Sequence, residues 1–376
     1  MRVFISAGEP SGDLHGANLA NALRAKYPEI ELVGFGGERM EAAGVKLLYP
    51  LTQLAVMWLG RVLMNMGTFL KLGAQADSYF RLHKPDAVVL IDYPGFHWHI
   101  ARRAHRCGIP VYYFVPPQLW AWAGWRVKKV RKNFRAVLTA LPFEEEWYRS
   151  RGVRTHYVGH PYFDEIAEQK PDAEFVNELQ KNRPLIALLP GSRTQEVTAN
   201  FDSMLRAAKQ IQLAHPQVQF AVAAYKEKQA KLVNAMLAGS GISMAVHVGR
   251  TTEIIEACDA CLAVSGSVGL ELMVRNKPTI VVYRVGYIFR KIAEQLKTCE
   301  YISLVNLLAN EEIYPEFASS VDRSSEIAAR MNDWLAHPEK LQGIVNRLKQ
   351  LNAEVAKPGA IDRAAEFLLH ELKNSS

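Results

Sequence analysis

At 376 residues, with 49% hydrophobic and 22% charged positions, the sequence has room for about two ordinary globular domains and excludes a disordered or fibrous chain. Four cysteines (Cys107, Cys258, Cys261, Cys299) are too few for a disulfide scaffold and point to a reducing, cytoplasmic compartment; MRVFISAGEP is no signal peptide. A net charge of +7 asks for an anionic partner, whether nucleic acid, a phospholipid surface or a phosphorylated substrate.

In chain order, short apolar runs alternate with helical patterns, the mark of parallel βαβ units. In the first half, Val3–Ser6, Glu31–Phe35, Ala87–Asp92, Pro110–Val115 and Ala136–Leu141 read as strands, with crossover helices such as Asp13–Lys26 and Tyr93–Cys107. A second series follows, with strands at Leu185–Leu189, Val218–Tyr225, Cys261–Val264 and Thr279–Tyr283. Between the two lies HPYFDEIAEQKPDAEF (160–175), polar and holding two prolines, the best candidate for a linker. The expected fold class is therefore α/β: a doubly wound domain over 1–165, a second over 166–340, and a pair of C-terminal helices over 341–376, parted by Pro358-Gly359.

Doubly wound sheets bind ligands beyond the carboxyl ends of their strands, so the loops there are the candidates. The first, SAGEPSGDLHGA (6–17), looks like a phosphate loop but has no lysine and carries Glu9, Asp13 and His15, whose carboxylates would repel a phosphate. GFGGERM (34–40) follows the second strand and does not match a dinucleotide fingerprint. In IDYPGFHWH (91–99), Asp92 ends an apolar strand. It reads either as the cap of the next helix or as a general base near a hydroxyl.

The second half offers LLPGSRTQE (188–196), with Gly191, Ser192 and Arg193 at a helix start, and VSGSVGLELM (264–273), with Ser267, Val268, Gly269 and Glu271. Two glycine loops in one domain, one with an arginine fork and one with a glutamate a turn into its helix, suit a nucleoside diphosphate. No Asp-x-Asp or Walker sequence is present, and a lone CxxC supplies too few ligands for zinc, so no metal is expected.

Two stretches concern surfaces. LAVMWLGRVLMNMGTFLKL (54–72) is apolar at 13 of 19 positions, too interrupted to span a bilayer. It reads either as a core helix or as an amphipathic segment taking acyl chains through Val56, Met57, Trp58, Leu59, Leu63 and Met64. RVKKVRKNFR (126–135) holds six basic residues in ten and is either a solvated helix or a face for anionic headgroups.

SAGEPSGDLHGA, GFGGERM, LAVM, IDYPGF, PPQLWAW, LPFEEEWY, VGHP, LLPGSR, SGSVGLE and YISLVNLLA occur in this order over nearly the whole chain. Together they resemble the lipid-A-disaccharide synthase family. The resemblance implies a GT-B architecture, two facing Rossmann-like domains with a cleft between them. It also implies an inverting, metal-independent glycosyltransferase that needs no cofactor. Such an enzyme joins UDP-2,3-diacylglucosamine to 2,3-diacylglucosamine 1-phosphate through a β-1,6 bond and releases UDP.

Carried onto this chain, the resemblance assigns Arg193, with Gly191, Ser192 and the backbone of Ser267, Val268 and Gly269, to the UDP leaving group, and Glu271 to its ribose. Asp92, with Glu9 and His15, would handle the acceptor proton, and Ser11, Gly12, Asp13 and Asn306 would bind the acceptor. A peripheral position on the cytoplasmic face of the inner membrane, with room for a homodimer, is also implied. This chain departs from the family pattern with His97 for Asn, Pro116 for Ser and Val305 for Pro, and it has Arg61 near a frequent glutamate. The competing reading is a UDP-N-acetylglucosamine 2-epimerase-like isomerase on soluble sugars. With no recognised binding motif, a nucleic-acid partner is not expected.

Overall fold

The computed structural model describes residues 1–55, 66–181, 183–284 and 299–375. They divide into two units, Met1–Asp164 with Lys357–Ser376, and Glu165–Ala356.

The first unit is built on a parallel sheet of β1 (Arg2–Ala7), β2 (Glu31–Phe35), β3 (Lys46–Tyr49), β4 (Ala87–Ile91), β5 (Val111–Phe114), β6 (Ala136–Thr139) and β7 (Thr155–Tyr157). Their order is β3-β2-β1-β4-β5-β6-β7, so the winding reverses between β1 and β4. The central strand β4, Ala-Val-Val-Leu-Ile, is buried at every position, as a parallel strand covered on both faces must be. Its alternate side chains enter opposite cores: Val89 and Ile91 join one cluster with α1 (Pro10–Lys26), while Val88 and Leu90 join another with Phe80 and Ile100. Register aligns Ala7 with Ile91, so the loops that start at Gly8 and Asp92 leave the sheet side by side.

The second unit repeats the plan with β8 (Leu185–Leu189), β9 (Gln219–Ala224), β10 (Ala245–Val248), β11 (Ala260–Ala263), β12 (Thr279–Arg284) and β13 (Glu316–Ser319). The order β10-β9-β8-β11-β12-β13 reverses between β8 and β11. Leu189 pairs with Ala263, so the loops at 190–193 and 264–269 also emerge together.

The four edge strands β3, β7, β10 and β13 were not expected. Each has three or four residues, most of them half-buried, and none carries the apolar run that marks the inner strands. The expectation for 341–376 also needs correction, because the segment is split between the units. The helix Pro338–Val355 belongs to the second unit, whereas the last helix, Ala360–Ser375, returns to the first. There Ala364, Ala365, Leu368 and Leu372 join the core beneath α1, and Arg154 clasps Glu371 through two 2.7 Å bonds. Asp164 accepts from the N–H groups of Gly359, Ala360 and Ile361 at the start of that helix.

Candidate active site

In the first unit, the turn after β4 carries the chemistry. Asp92 and Tyr93 both take left-handed backbone angles, φ 48° and 50°, an unfavourable pair for residues other than glycine. The surroundings hold them there. The Asp92 carbonyl accepts from His97 Nδ1 at 2.6 Å and from the Tyr113 hydroxyl at 3.2 Å. A carbonyl only accepts, so Nδ1 carries the imidazole proton; Nε2 then accepts from Ser6 Oγ at 2.9 Å. Burial pushes the His97 pKa down to about 4, against a partial rise from the Asp92 carbonyl, and this keeps that tautomer neutral. The helix α4 (Pro94–Arg106) has Tyr93 rather than Asp92 at its N-cap position, which places Asp92 one residue before the cap. Tyr93 in turn lies over Gly8, where a Cβ would fall 2.2 Å from its ring; glycine is required for that approach. Burial raises the Tyr93 pKa, and the charge of Glu9 raises it further, which puts Glu9 beside this turn.

Other residues of the first loop have different work. Asp13 is buried, and its carboxylate accepts from the N–H groups of Gly37 (2.7 Å), Arg39 (3.1 Å) and Met40 (3.2 Å) at the start of α2 (Glu38–Ala42). It shapes GFGGERM rather than meeting an acceptor hydroxyl, which also explains why a carboxylate sits in this loop. Gly12 is buried in α1 and packs against Ala7 and the Ile91 carbonyl, whereas Ser11 is exposed. His15 is buried in the same helix. It lies near His160, whose pKa falls to about 3 through burial first and the His15 charge second.

In the second unit, Arg193 is the N-cap of α7 (Thr194–Ala214), numbered after α3 (Met66–His83), α5 (Val127–Asn133) and α6 (Pro142–Arg149). Its side chain is 68% exposed and pairs with Glu196 at 3.1 Å. Glu196 Oε2 also accepts from the N–H groups of Ser192 (3.0 Å) and Arg193 (3.1 Å). This corrects the expected diphosphate cradle: the loop N–H groups already serve a carboxylate, and the guanidinium is the part that faces outward. Gly191, at φ 119°, gives Glu196 the room to reach back. The Arg193-x-x-Glu196 spacing is a capping signal that the sequence did carry.

Ser267, Val268 and Gly269 open α8 (Val268–Val274), beside Ser265, whose hydroxyl donates to the Ile302 carbonyl at 2.9 Å. Glu271 is buried and ion-paired with Arg275 at 3.3 Å. Asn306, in α9 (Leu304–Ala309), is fully buried. Its amide donates to Tyr314 O and Glu316 Oε1, and its oxygen accepts from the N–H groups of Ile313 and Tyr314. Every polar position of that side chain is engaged within the protein, so the expected acceptor contact is corrected to a loop staple. Glu316, which sequence reasoning missed, also accepts from the N–H groups of Ile302 and Ser303 and so fixes the segment that meets Ser265.

The expected acyl-chain residues Val56, Met57, Trp58, Leu59, Leu63 and Met64 lie outside the described residues. Just beyond them, Met66 and Leu70 of α3 are exposed. Among the described residues, no helix is long and apolar enough to cross a membrane, and no group of three His, Cys, Asp or Glu side chains is arranged for a metal.

The candidate loops thus stand at the two winding reversals, β1/β4 and β8/β11, where doubly wound sheets take their ligands. The family profile described as lipid-A-disaccharide synthetase matches residues 3–367. A lipid-A-disaccharide synthase from Myxococcus xanthus (strain DK1622) is 33% identical over 377 residues, covering 99% of this chain and 97% of that protein. Among solved structures, a putative UDP-N-acetylglucosamine 2-epimerase from Listeria monocytogenes aligns with a TM-score of 0.65 at 11% identity, over 98% of this chain and 94% of that one. The Acinetobacter baumannii MurG structure aligns at 0.59 and 13%, over 98% and 99%. These likenesses establish the GT-B fold; at such identity they carry no activity across.

Proposed function

The chain belongs to the lipid-A-disaccharide synthetase family, glycosyltransferases that form the lipid A disaccharide, and from that premise we propose how its two units divide the reaction. The second unit takes UDP-2,3-diacylglucosamine, with Arg193 neutralising the diphosphate, the Ser267–Gly269 turn beside it and Glu271 at the ribose. The first unit takes 2,3-diacylglucosamine 1-phosphate, with Glu9 and Ser11 lining the approach to Asp92. As the acceptor O6 attacks the donor C1, its proton passes to the Asp92 carboxylate. The C1–O bond to the diphosphate breaks, and UDP leaves with the charge. A single displacement inverts the anomeric centre, giving the β-1,6 link.

The observation that best supports this reading is the Asp92 turn at the β1/β4 reversal, held in left-handed geometry by His97 and Tyr113. Backbone strain of this kind persists where the surroundings over-determine it, as a positioned base requires. The enzyme is further read as a peripheral protein of the cytoplasmic face of the inner membrane, because both substrates carry acyl chains. The isomerase alternative rests on fold likeness alone. Incubation with both lipid substrates in detergent, followed by mass analysis, should yield the disaccharide 1-phosphate and UDP; absence of product would overturn the assignment.

A further inference from the structure

Between α4 and α5 lies a cavity of about 230 Å³, lined by Gly95, Trp98, His99, Arg102, Arg126, Lys129 and Asn133. Its lining has three cations and no carboxylate. The deficit extends well beyond the cavity, because residues 93–143 contain nine Lys and Arg and no Asp or Glu, more positive charge than the whole chain nets.

Two details distinguish this cavity from an ordinary solvated basic helix. The Nε of Arg126 is buried without a hydrogen-bond partner, although the residue belongs to the lining. His99, also in the lining, has its pKa lowered by burial first and then by the charges of Arg103, Arg102 and Lys129, of which Arg102 and Lys129 line the cavity with it. Beside the cavity stand Trp122 and Trp125, 46% and 64% exposed, with the Arg126 guanidinium within 5.4 and 5.1 Å of their rings. Exposed tryptophans around a cationic pocket are the composition of a protein surface that meets the headgroup layer.

We propose that this cavity takes the phosphate of an anionic phospholipid headgroup, with Arg102, Arg126 and Lys129 around the phosphate and Trp122 and Trp125 in the interfacial layer. The proposal deepens the lipid-handling reading above, since it names a phosphate site that anchors the first unit apart from Asp92. The ligand chemistry is a phosphate ester, and its source is the bilayer rather than the acceptor's own 1-phosphate.

The test is co-sedimentation of the full chain with phosphatidylcholine vesicles, with and without phosphatidylglycerol, at fixed ionic strength. Arg126→Gln and Arg102→Gln are compared with Lys128→Gln, which removes the same charge from the same region but does not line the cavity. Both cavity variants should lose binding to the anionic vesicles at least tenfold beyond the Lys128→Gln loss. Glycerol 3-phosphate should raise the His99 pKa, read by NMR, in the wild type and in Lys128→Gln but not in Arg126→Gln. Equal losses in all three variants would mean a diffuse film of charge and overturn the proposal. So would unchanged vesicle binding with a raised KM for the acceptor in detergent, which would give the pocket to the substrate. Vesicle binding is read without turnover, so a failed catalytic assignment leaves this result standing. Retained thermal midpoints exclude misfolding.

Discussion

His97 Nδ1 donates to the carbonyl oxygen of Asp92 at 2.6 Å, and Nε2, left without a proton in the buried neutral ring, accepts from Ser6 Oγ at 2.9 Å. The pKa of about 4 lies below the unfolded value of 6.5, so the unfolded chain binds the extra proton first. The stability from His97 is therefore fully present above pH 6.5 and is lost as the pH falls through 4. The shift is worth on the order of 3 kcal/mol. Urea unfolding from pH 7 to 4 should show a steeper loss in the wild type than in His97→Asn, by about that amount. Parallel curves would mean that His97 does not titrate in this way.

Asp92→Asn keeps the size of the side chain and removes its basicity. If Asp92 takes the acceptor proton, kcat should fall roughly 10²–10⁴-fold while UDP affinity, measured by calorimetry, stays within about twofold. Tyr113→Phe removes a bond that helps fix the Asp92 carbonyl and should give a smaller kcat loss that depends on the same ionisation. A wild-type rate in Asp92→Asn would remove the general-base role.

The Arg193 guanidinium is mostly exposed and pairs with Glu196 at the surface, so its removal should cost little stability, about 0–1 kcal/mol. Its proposed work is on the leaving diphosphate, and Arg193→Ala should lower kcat on the order of 10²–10³-fold. Arg206→Ala, on the same helix and also in surface ion pairs, is the matched control and should stay near wild type. Equal effects in the two variants would point to net charge rather than to a specific contact.

Much of the fold was legible because inner parallel strands must be apolar on both faces, and β1, β4, β8 and β11 are. The edge strands were not legible, because three or four half-buried residues such as Thr155–Tyr157 carry no such pattern. At the candidate site, residue type singled out Asp92 and Arg193 as candidates but not the groups around them. Tyr113 and Ser6 come from strands far away in sequence, and nothing local marks a hydroxyl that will meet a carbonyl 21 residues earlier. Asp13 and Asn306 misled for the opposite reason. A polar residue in a glycine-rich or family-matched stretch looks like a ligand contact until its backbone partners are seen.

Asn306 therefore gives the sharpest separation between a binding role and a structural one. Its side chain serves Tyr314 O at 2.7 Å, Glu316 Oε1 at 2.9 Å, and the N–H groups of Ile313 and Tyr314 at 3.0 and 2.9 Å. Asn306→Ala strands these buried groups, at about 1–3 kcal/mol for each one left unsatisfied, and the summed loss should be visible as a large drop in the urea midpoint. Asn306→Asp should be worse, because the lost amide donor becomes a second acceptor facing the Glu316 carboxylate and a carbonyl. The acceptor KM of the folded fraction should stay close to wild type in both. If Asn306→Ala instead keeps its midpoint and loses acceptor affinity, the staple reading fails and the acceptor contact implied by the sequence resemblance returns.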